Sequence, residues 1–267
     1  MGKKYKGKLC VYCGKRPSVT GDHVFARKFC LDKYRGYLPQ VPTCDECNRV
    51  KAYLEHYLTT VLPFGGQHRD SQETFSTLVP KRLEKNAKLH RELRIGYAGD
   101  KIPLREGHIE PLFAFVAKGL LWHHWGITLT DDDCAAAIVI RNDGAGFLSH
   151  IFTKMSARDR VVANLGEGAL TYEGIQAKDY AQFTLWRFLV YGGLNFAETP
   201  RDPNGKHCII FAVTGPRAPL ANFWSSVFKE ELPAAQEVID ADGDGNKNGA
   251  TERPEDCCGV REERSGP

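Results

Sequence analysis

The residues best suited to chemistry lie near the N-terminus, where Asp22 and His23 stand side by side in the stretch TGDHVF. A carboxylate is a hard ligand suited to Mg²⁺, and an imidazole can take a proton near neutral pH. Neighbouring side chains of an extended segment point to opposite faces, so the two residues can serve different roles. We expect Asp22 to bind a metal ion and His23 to act as a general base. The alternative is an ordinary surface pair.

Two cysteine pairs flank this stretch. CVYC supplies Cys10 and Cys13, and CDEC supplies Cys44 and Cys47. Two C-x-x-C turns can present four thiolates tetrahedrally to one Zn²⁺, and a reducing compartment disfavours disulfides. A redox dithiol, which is the alternative, would not need a second copy. The spacing therefore predicts a structural zinc site.

The elements around the cysteines must bring the acid and the imidazole into place. The stretch SVTGDHVF predicts a short strand, a turn and a second strand. Thr43 and Glu46 fit a capping box that opens a helix. Asn48 follows the last cysteine on that helix, and its amide oxygen is a second hard ligand. A zinc-pinned hairpin packed on the helix would place Asp22 near Asn48.

The order Cys-x-x-Cys, Asp-His, Cys-x-x-Cys-Asn resembles the HNH (ββα-metal) endonucleases, in particular the endonuclease VII-like branch with two zinc-binding cysteine pairs. The resemblance covers residues 10 to about 62. It implies that Asp22 and Asn48 hold a catalytic Mg²⁺ or Mn²⁺ and that His23 activates water. The implied function is hydrolysis of phosphodiester bonds in DNA, in a defence or mobile-element context. The middle Asn of many such motifs is absent from GYLPQVPTC, where Gln40 is the only nearby amide.

The charge distribution points to a polyanionic partner. Residues 1–62 contain twelve Lys and Arg against five acidic residues, whereas the whole chain has a net charge of only +3. We expect the N-terminal segment to bind DNA, with RNA as the other nucleic acid that this motif can cleave. The residues expected to contact phosphates are Arg27, Lys28, Arg49 and Lys51. For each of them a solvated surface charge is the alternative.

The rest of the chain predicts further α and β structure. We expect an α+β protein in which a zinc-stabilised ββα-metal (HNH) module at residues 1–65 is followed by a separate α+β domain. Residues 66–107 would form a basic helical connector and residues 108–232 the second domain. That domain would contain a buried helix over 109–125 and strands in CAAAIVI, GALTYEGIQ, FTLWRFLVY and HCIIFAVTG. The polar segment 233–267 is expected to be a disordered tail.

No run is apolar enough to span a membrane, and no apolar leader follows the first lysines, so we expect a cytoplasmic protein.

Other functions follow from the same residues. A zinc-dependent nucleic-acid-binding protein without catalysis is the main alternative to an endonuclease. A third is a zinc module that only supports a C-terminal interaction domain. By elimination, the second domain would serve sensing, docking to a protein partner or homodimerisation.

Overall fold

The computed structural model describes residues 4–96, 107–141, 146–154, 157–195 and 207–231. These ranges contain a two-stranded sheet, a five-stranded sheet and helices packed around both. The fold is therefore mixed α+β, as the sequence predicts. The tail over 233–267 lies outside the described residues. None of the described helices combines the length and the apolar character needed to cross a membrane.

The two-stranded sheet contains the acid and the imidazole. Strand β1 (Thr20–His23) pairs antiparallel with β2 (Gln40–Thr43), which places Asp22 opposite Val41 and His23 opposite Gln40. Two short 3-10 helices, Arg27–Phe29 and Asp32–Tyr37, lie in the connection. The prediction of two strands within SVTGDHVF is wrong. The partner strand comes instead from the segment beside the second cysteine pair, which the cysteine cluster holds against the first pair.

Helix α1 (Asp45–Val61) follows β2 directly. The predicted capping box does not form, because Cys44 occupies the N-cap position without a side-chain cap and the Thr43 hydroxyl donates to the Cys44 carbonyl at 3.2 Å. The apolar face of α1 buries Leu54 and Leu58. A 3-10 turn at Leu62–Gly65 continues the chain beyond the helix.

The connector forms three short helices, α2 (Arg69–Thr77), α3 (Val79–Glu84) and α4 (Ala87–Gly96). Pro80 lies in the first turn of α3, where its missing N–H costs little. The Arg82 guanidinium donates to the carbonyl of Lys28 at 3.1 Å and also to that of Thr59. The connector is thus fastened to the N-terminal module.

The large sheet is antiparallel, with the strand order β3-β7-β6-β5-β4. Helix α5 (Ile109–Trp125) precedes it and ends at Gly126, whose positive φ of 68° suits glycine. Helices α6 (Gly146–Lys154) and α7 (Arg217–Glu231) belong to a second core on the sheet. The strands are β3 (Asp133–Arg141), β4 (Ala157–Leu165), β5 (Leu170–Ala177), β6 (Thr184–Val190) and β7 (Cys208–Pro216).

One hydrophobic core joins the N-terminal module to this sheet. Residues of β2, α1, α5 and the sheet belong to a single buried cluster. Phe25, just after β1, packs on the ring of Tyr172 at 5.5 Å, and the Tyr191 hydroxyl donates to the carbonyl of Phe29 at 2.9 Å. The division into an N-terminal module and a separate C-terminal domain stays a prediction. Helix α5 packs against β2 within the shared core.

Candidate metal and catalytic site

The four cysteines of the two pairs come together. The sulfurs of Cys10, Cys13, Cys44 and Cys47 all lie within 4.8 Å of one another, and Cys10 and Cys44 are buried. The first turn closes through the Cys10 amide, which donates to the Arg16 carbonyl at 2.8 Å, and the Gly14 amide, which donates to the Cys10 carbonyl at 2.9 Å. Four close thiols suit a structural metal such as zinc.

The thiols of the cluster differ in pKa. A hydrogen bond from the Cys47 thiol lowers the pKa of Cys10 to about 4, and the same bond raises the pKa of Cys47. Burial raises the pKa of Cys13. The cluster therefore favours a thiolate at Cys10, and a thiolate is the form that binds a metal.

Asp22 is held from two sides. Its Oδ2 accepts a hydrogen bond from the Tyr12 hydroxyl at 2.7 Å and lies 2.9 Å from the Lys51 Nζ. Tyr12 stands between the first two cysteines, so the metal-binding turn also fixes a partner of the carboxylate. Burial, followed by the Asp22 charge, raises the pKa of Tyr12 well above its usual value, which keeps the phenol a donor. The sequence analysis did not identify Tyr12.

Among the basic residues predicted to contact phosphates, Lys51 departs most from its predicted position. Its side chain is fully buried rather than exposed to a phosphate. The ammonium contacts Asp22, donates to the His23 carbonyl at 2.7 Å and forms a close ion pair with Glu55. The ring of Tyr12 lies 5.9 Å from the Lys51 nitrogen. In this structure Lys51 fastens α1 to β1 and is not available to nucleic acid.

Asn48 shares a face of α1 with Lys51 and Glu55, because residues three and seven positions apart align on a helix. Asn48 is half-buried, and its backbone amide donates to the Cys44 carbonyl at 3.0 Å. Lys51, one turn along this face, contacts Asp22. The approach of the Asn48 amide to Asp22 stays a prediction. Burial raises the pKa of Glu55, and the Lys51 charge opposes that rise.

Glu55 is an acidic residue of the site that the sequence analysis missed. It stands one helical turn after Lys51 and two turns after Asn48, and this spacing was the signal in the sequence. Its carboxylate and that of Asp22 contact the same nitrogen atom, although 33 residues separate them in the sequence.

His23 lies beside Gln40. The Nε2 atom of His23 is 3.1 Å from the Gln40 amide nitrogen, across the antiparallel pair. Within the described chain, the buried Nδ1 atom has no hydrogen-bond partner. Burial lowers the pKa of His23, and the Arg27 charge lowers it further, whereas the Asp22 charge raises it. A lowered pKa keeps the imidazole neutral at neutral pH, the form that accepts a proton.

The remaining basic residues lie at the surface. Arg27 and Lys28 are exposed on the 3-10 turn after β1. Arg49 is exposed on the first turn of α1, where it pairs with Asp45 at 3.3 Å. These three side chains can reach a polyanion, which distinguishes them from Lys51.

The oxygen donors in the site are of the type that a hard divalent cation prefers. They comprise the carboxylates of Asp22 and Glu55, with the amide of Asn48 as the third predicted donor. The Lys51 ammonium contacts both carboxylates and neutralises part of their charge. Such donors could hold Mg²⁺ or Mn²⁺ only in competition with that ammonium.

Comparisons with known proteins leave the family open. No protein-family model matches the chain, and no curated protein or solved structure matches it either.

Proposed function

We propose that this chain is a metal-dependent endonuclease of the HNH type that hydrolyses phosphodiester bonds in DNA. The observation that carries the proposal is the arrangement at β1. Asp22 and His23 end a strand that lies beside a four-cysteine cluster, and Lys51 of α1 contacts both residues.

His23 is the general base of the proposed reaction. Its lowered pKa leaves the imidazole neutral, and Nε2 would accept the proton of an attacking water in place of the hydrogen bond from the Gln40 amide. Gln40, 3.1 Å from Nε2, orients the ring without adding a charge. The Lys51 bond to the His23 carbonyl fixes the backbone at the same position.

Asp22 and Asn48 would hold the divalent ion, which when bound would stabilise the negative charge that builds on the phosphate. Tyr12 keeps the Asp22 carboxylate oriented through the 2.7 Å hydrogen bond to Oδ2. The four-cysteine cluster would hold zinc in a structural role, because four thiolates close a tetrahedral site and leave no position for a substrate.

Arg27, Lys28 and Arg49 bind the DNA backbone in this proposal. Their exposed charges surround the end of β1 and the start of α1. Contacts of this kind position a duplex without reading its sequence.

A second candidate is zinc-dependent nucleic-acid binding without cleavage. The buried Lys51 ammonium favours it, because this charge already neutralises the carboxylate that would bind the catalytic metal. Under this alternative Asp22, Lys51 and Glu55 form a structural ion network, and the exposed basic residues alone carry the function.

Cleavage of supercoiled plasmid separates the two candidates. Zinc-loaded protein is dialysed free of other divalent ions and incubated with plasmid alone, with Mg²⁺ or with Mn²⁺. An endonuclease nicks or linearises the plasmid only when Mg²⁺ or Mn²⁺ is added. Retardation of the plasmid on a gel without cutting would favour the binding protein, and unchanged mobility without cutting would argue against both.

A further inference from the structure

We propose that strand β3 is a dimerisation edge, on which β3 of a second copy of this chain pairs antiparallel about a two-fold axis at Ala137. The large sheets of the two chains join across this axis into one continuous sheet. The inference goes beyond the proposed function and does not depend on it, because it concerns the edge of the sheet and none of the residues at β1.

Strand β3 lies at one end of the large sheet. Within the described chain, β7 is the one strand that pairs with it, and the backbone hydrogen bonds of residues 135–140 go to β7 alone. An edge strand directs alternate N–H and C=O groups away from its own sheet, where they form a template for another strand. The outer side of β3 is such a template.

The two edges of this sheet differ in their protection against pairing. Edge strands of soluble proteins are commonly guarded by charged residues or proline. Strand β4, at the other edge, carries Arg158, Asp159 and Arg160 in exposed positions. The sequence CAAAIVI of β3, from Cys134 to Ile140, contains neither a charge nor a proline. The β3 edge is therefore suited to pairing, whereas the β4 edge is not.

The side chains of β3 still have apolar surface to bury. Ala137 and Val139 pack on the core that contains α5, and Ala136, Ile138 and Ile140 pack on the core that contains α6 and α7. All five are only half-buried, although their neighbours on β7 are fully buried. A strand added beside β3 would cover this remaining surface, which is favourable.

The sequence of β3 is complementary to itself. In an antiparallel pair that uses all nine residues, Ala137 lies opposite its own copy. The small residues stand in the first half of the strand and the branched ones in the second, so each pair joins one of each kind: Ala136 with Ile138, Ala135 with Val139 and Cys134 with Ile140. The ends of the strand bring the acid Asp133 level with the base Arg141, and no like charges meet.

A second copy fits this edge better than another part of the same chain. The segments outside the described residues are short, contain proline or are polar in sequence; they are 1–3, 142–145 and 155–156, then 97–106 and 196–206, and finally 232–267. None of them matches the apolar run of β3. Each chain has one unguarded edge, so the assembly closes at two copies rather than growing into a filament.

Sedimentation velocity of the full chain tests the dimer. We expect a species of about twice the mass of one chain, with a fraction that rises with concentration. Val139→Lys should weaken dimerisation about tenfold or more, because pairing would remove water from the added charge. Val162→Lys makes the same change at an exposed position of β4 and should dimerise like the wild type. A wild type that stays monomeric, or equal dimerisation by the two variants, would overturn the proposal.

Disulfide crosslinking tests the register without relying on that variant to fold. In the proposed pair the Cα atoms of the two Ala137 residues lie about 4.5–5.5 Å apart, a separation that a disulfide spans. The two Val139 residues, on the same face, are offset by roughly 14 Å along the strands. Mild oxidation should therefore link the chains of Ala137→Cys at that position, as identified by peptide mapping, and should not link those of Val139→Cys. A dimeric Ala137→Cys protein without this crosslink, or an efficient crosslink at residue 139, would contradict the pairing.

Discussion

The Lys51 ammonium lies 2.9 Å from the Asp22 carboxylate, and this pair connects α1 to β1. Lys51 also holds the carbonyl of His23, so one buried side chain restrains both residues proposed to act in cleavage. Tyr12 supports the same carboxylate from the turn between the first two cysteines. The cysteine cluster, the acid and the imidazole are therefore parts of one connected structure.

Removal of Asp22 should destabilise the protein as well as weaken metal binding. Asp22→Ala leaves the buried ammonium with Glu55 as its one remaining charged partner and the Tyr12 hydroxyl without its acceptor. We expect the free energy of unfolding to fall by about 2–4 kcal/mol, near the range for breaking a buried ion pair. Urea unfolding followed by circular dichroism measures it. Asp45→Ala, which breaks the exposed pair with Arg49, should cost less than about 1 kcal/mol. Equal effects of the two variants would show that the Asp22 network contributes no more than a surface pair.

Gln40 should act by positioning His23. Gln40→Leu keeps the approximate side-chain volume and removes the amide beside Nε2. We expect the single-turnover cleavage rate to fall about 10- to 100-fold, since small displacements of a reacting group are costly, while the Kd for DNA stays unchanged. Gln67→Leu, in the turn before α2, is the control and should cleave at the wild-type rate. A weakened Kd with an unchanged rate would assign Gln40 to DNA binding instead.

The pH dependence of cleavage should report the lowered pKa of His23. The unfolded histidine titrates near 6.5, and the folded one titrates below that value, so the imidazole stays neutral above about pH 6.5. The rate should therefore be independent of His23 ionisation above pH 7 and fall as the pH drops through the folded pKa. His23 also makes the stability of the fold depend on pH in the same direction. Because the unfolded state binds the proton more tightly, the free energy of unfolding falls as the pH drops.

A variant of Arg27 tests whether the acidic limb of the pH–rate profile belongs to His23. Its positive charge lowers the pKa of His23, so Arg27→Gln should shift the acidic limb of the pH–rate profile to higher pH. Single-turnover rates from pH 5.5 to 8.5 at saturating DNA measure both profiles. A limb centred above pH 7 in the wild type would conflict with a buried, neutral imidazole.

Loss of one cysteine of the cluster should release the structural metal. Cys44→Ser removes a buried sulfur at the N-cap of α1, and three sulfurs no longer close a tetrahedral metal site. We expect about one equivalent of zinc to be lost and the thermal unfolding midpoint to fall, as measured by elemental analysis and calorimetry. Cys208→Ser, in strand β7, should retain the zinc. Full zinc content in Cys44→Ser would exclude the cluster as its site.

The local patterns predicted the elements that carry strong periodicity or cysteine spacing. The cysteine cluster, helix α5 and the four strands of alternating or continuous apolar residues all follow from such signals. Strand β4 was not predicted, because its sequence ARDRVVANL is charged. Charged side chains are common on edge strands, and β4 lies at the edge of the large sheet. Helices α6 and α7 were also not predicted.

The long-range contacts could not be predicted from the sequence. The pairing of β1 with β2 depends on the closure of the cysteine cluster across a long connection, and no local pattern specifies that register. The burial of Lys51 depends on three partners from β1 and α1 that only the folded chain brings together. For the same reason Tyr12 became recognisable only through its contacts, whereas the spacing of Glu55 from Lys51 and Asn48 was a signal that the sequence already contained.

The most direct test of the endonuclease proposal is plasmid cleavage by wild-type protein and His23→Ala side by side, with Mg²⁺, at equal zinc content and equal DNA binding. His23 lies at the end of β1 and contributes no group to the cysteine cluster, so its removal should leave the fold and the zinc in place. The proposal predicts Mg²⁺-dependent cutting by the wild type and a rate about 10²- to 10⁴-fold lower for the variant, as expected for a lost general base. Cutting by His23→Ala at the wild-type rate would contradict it.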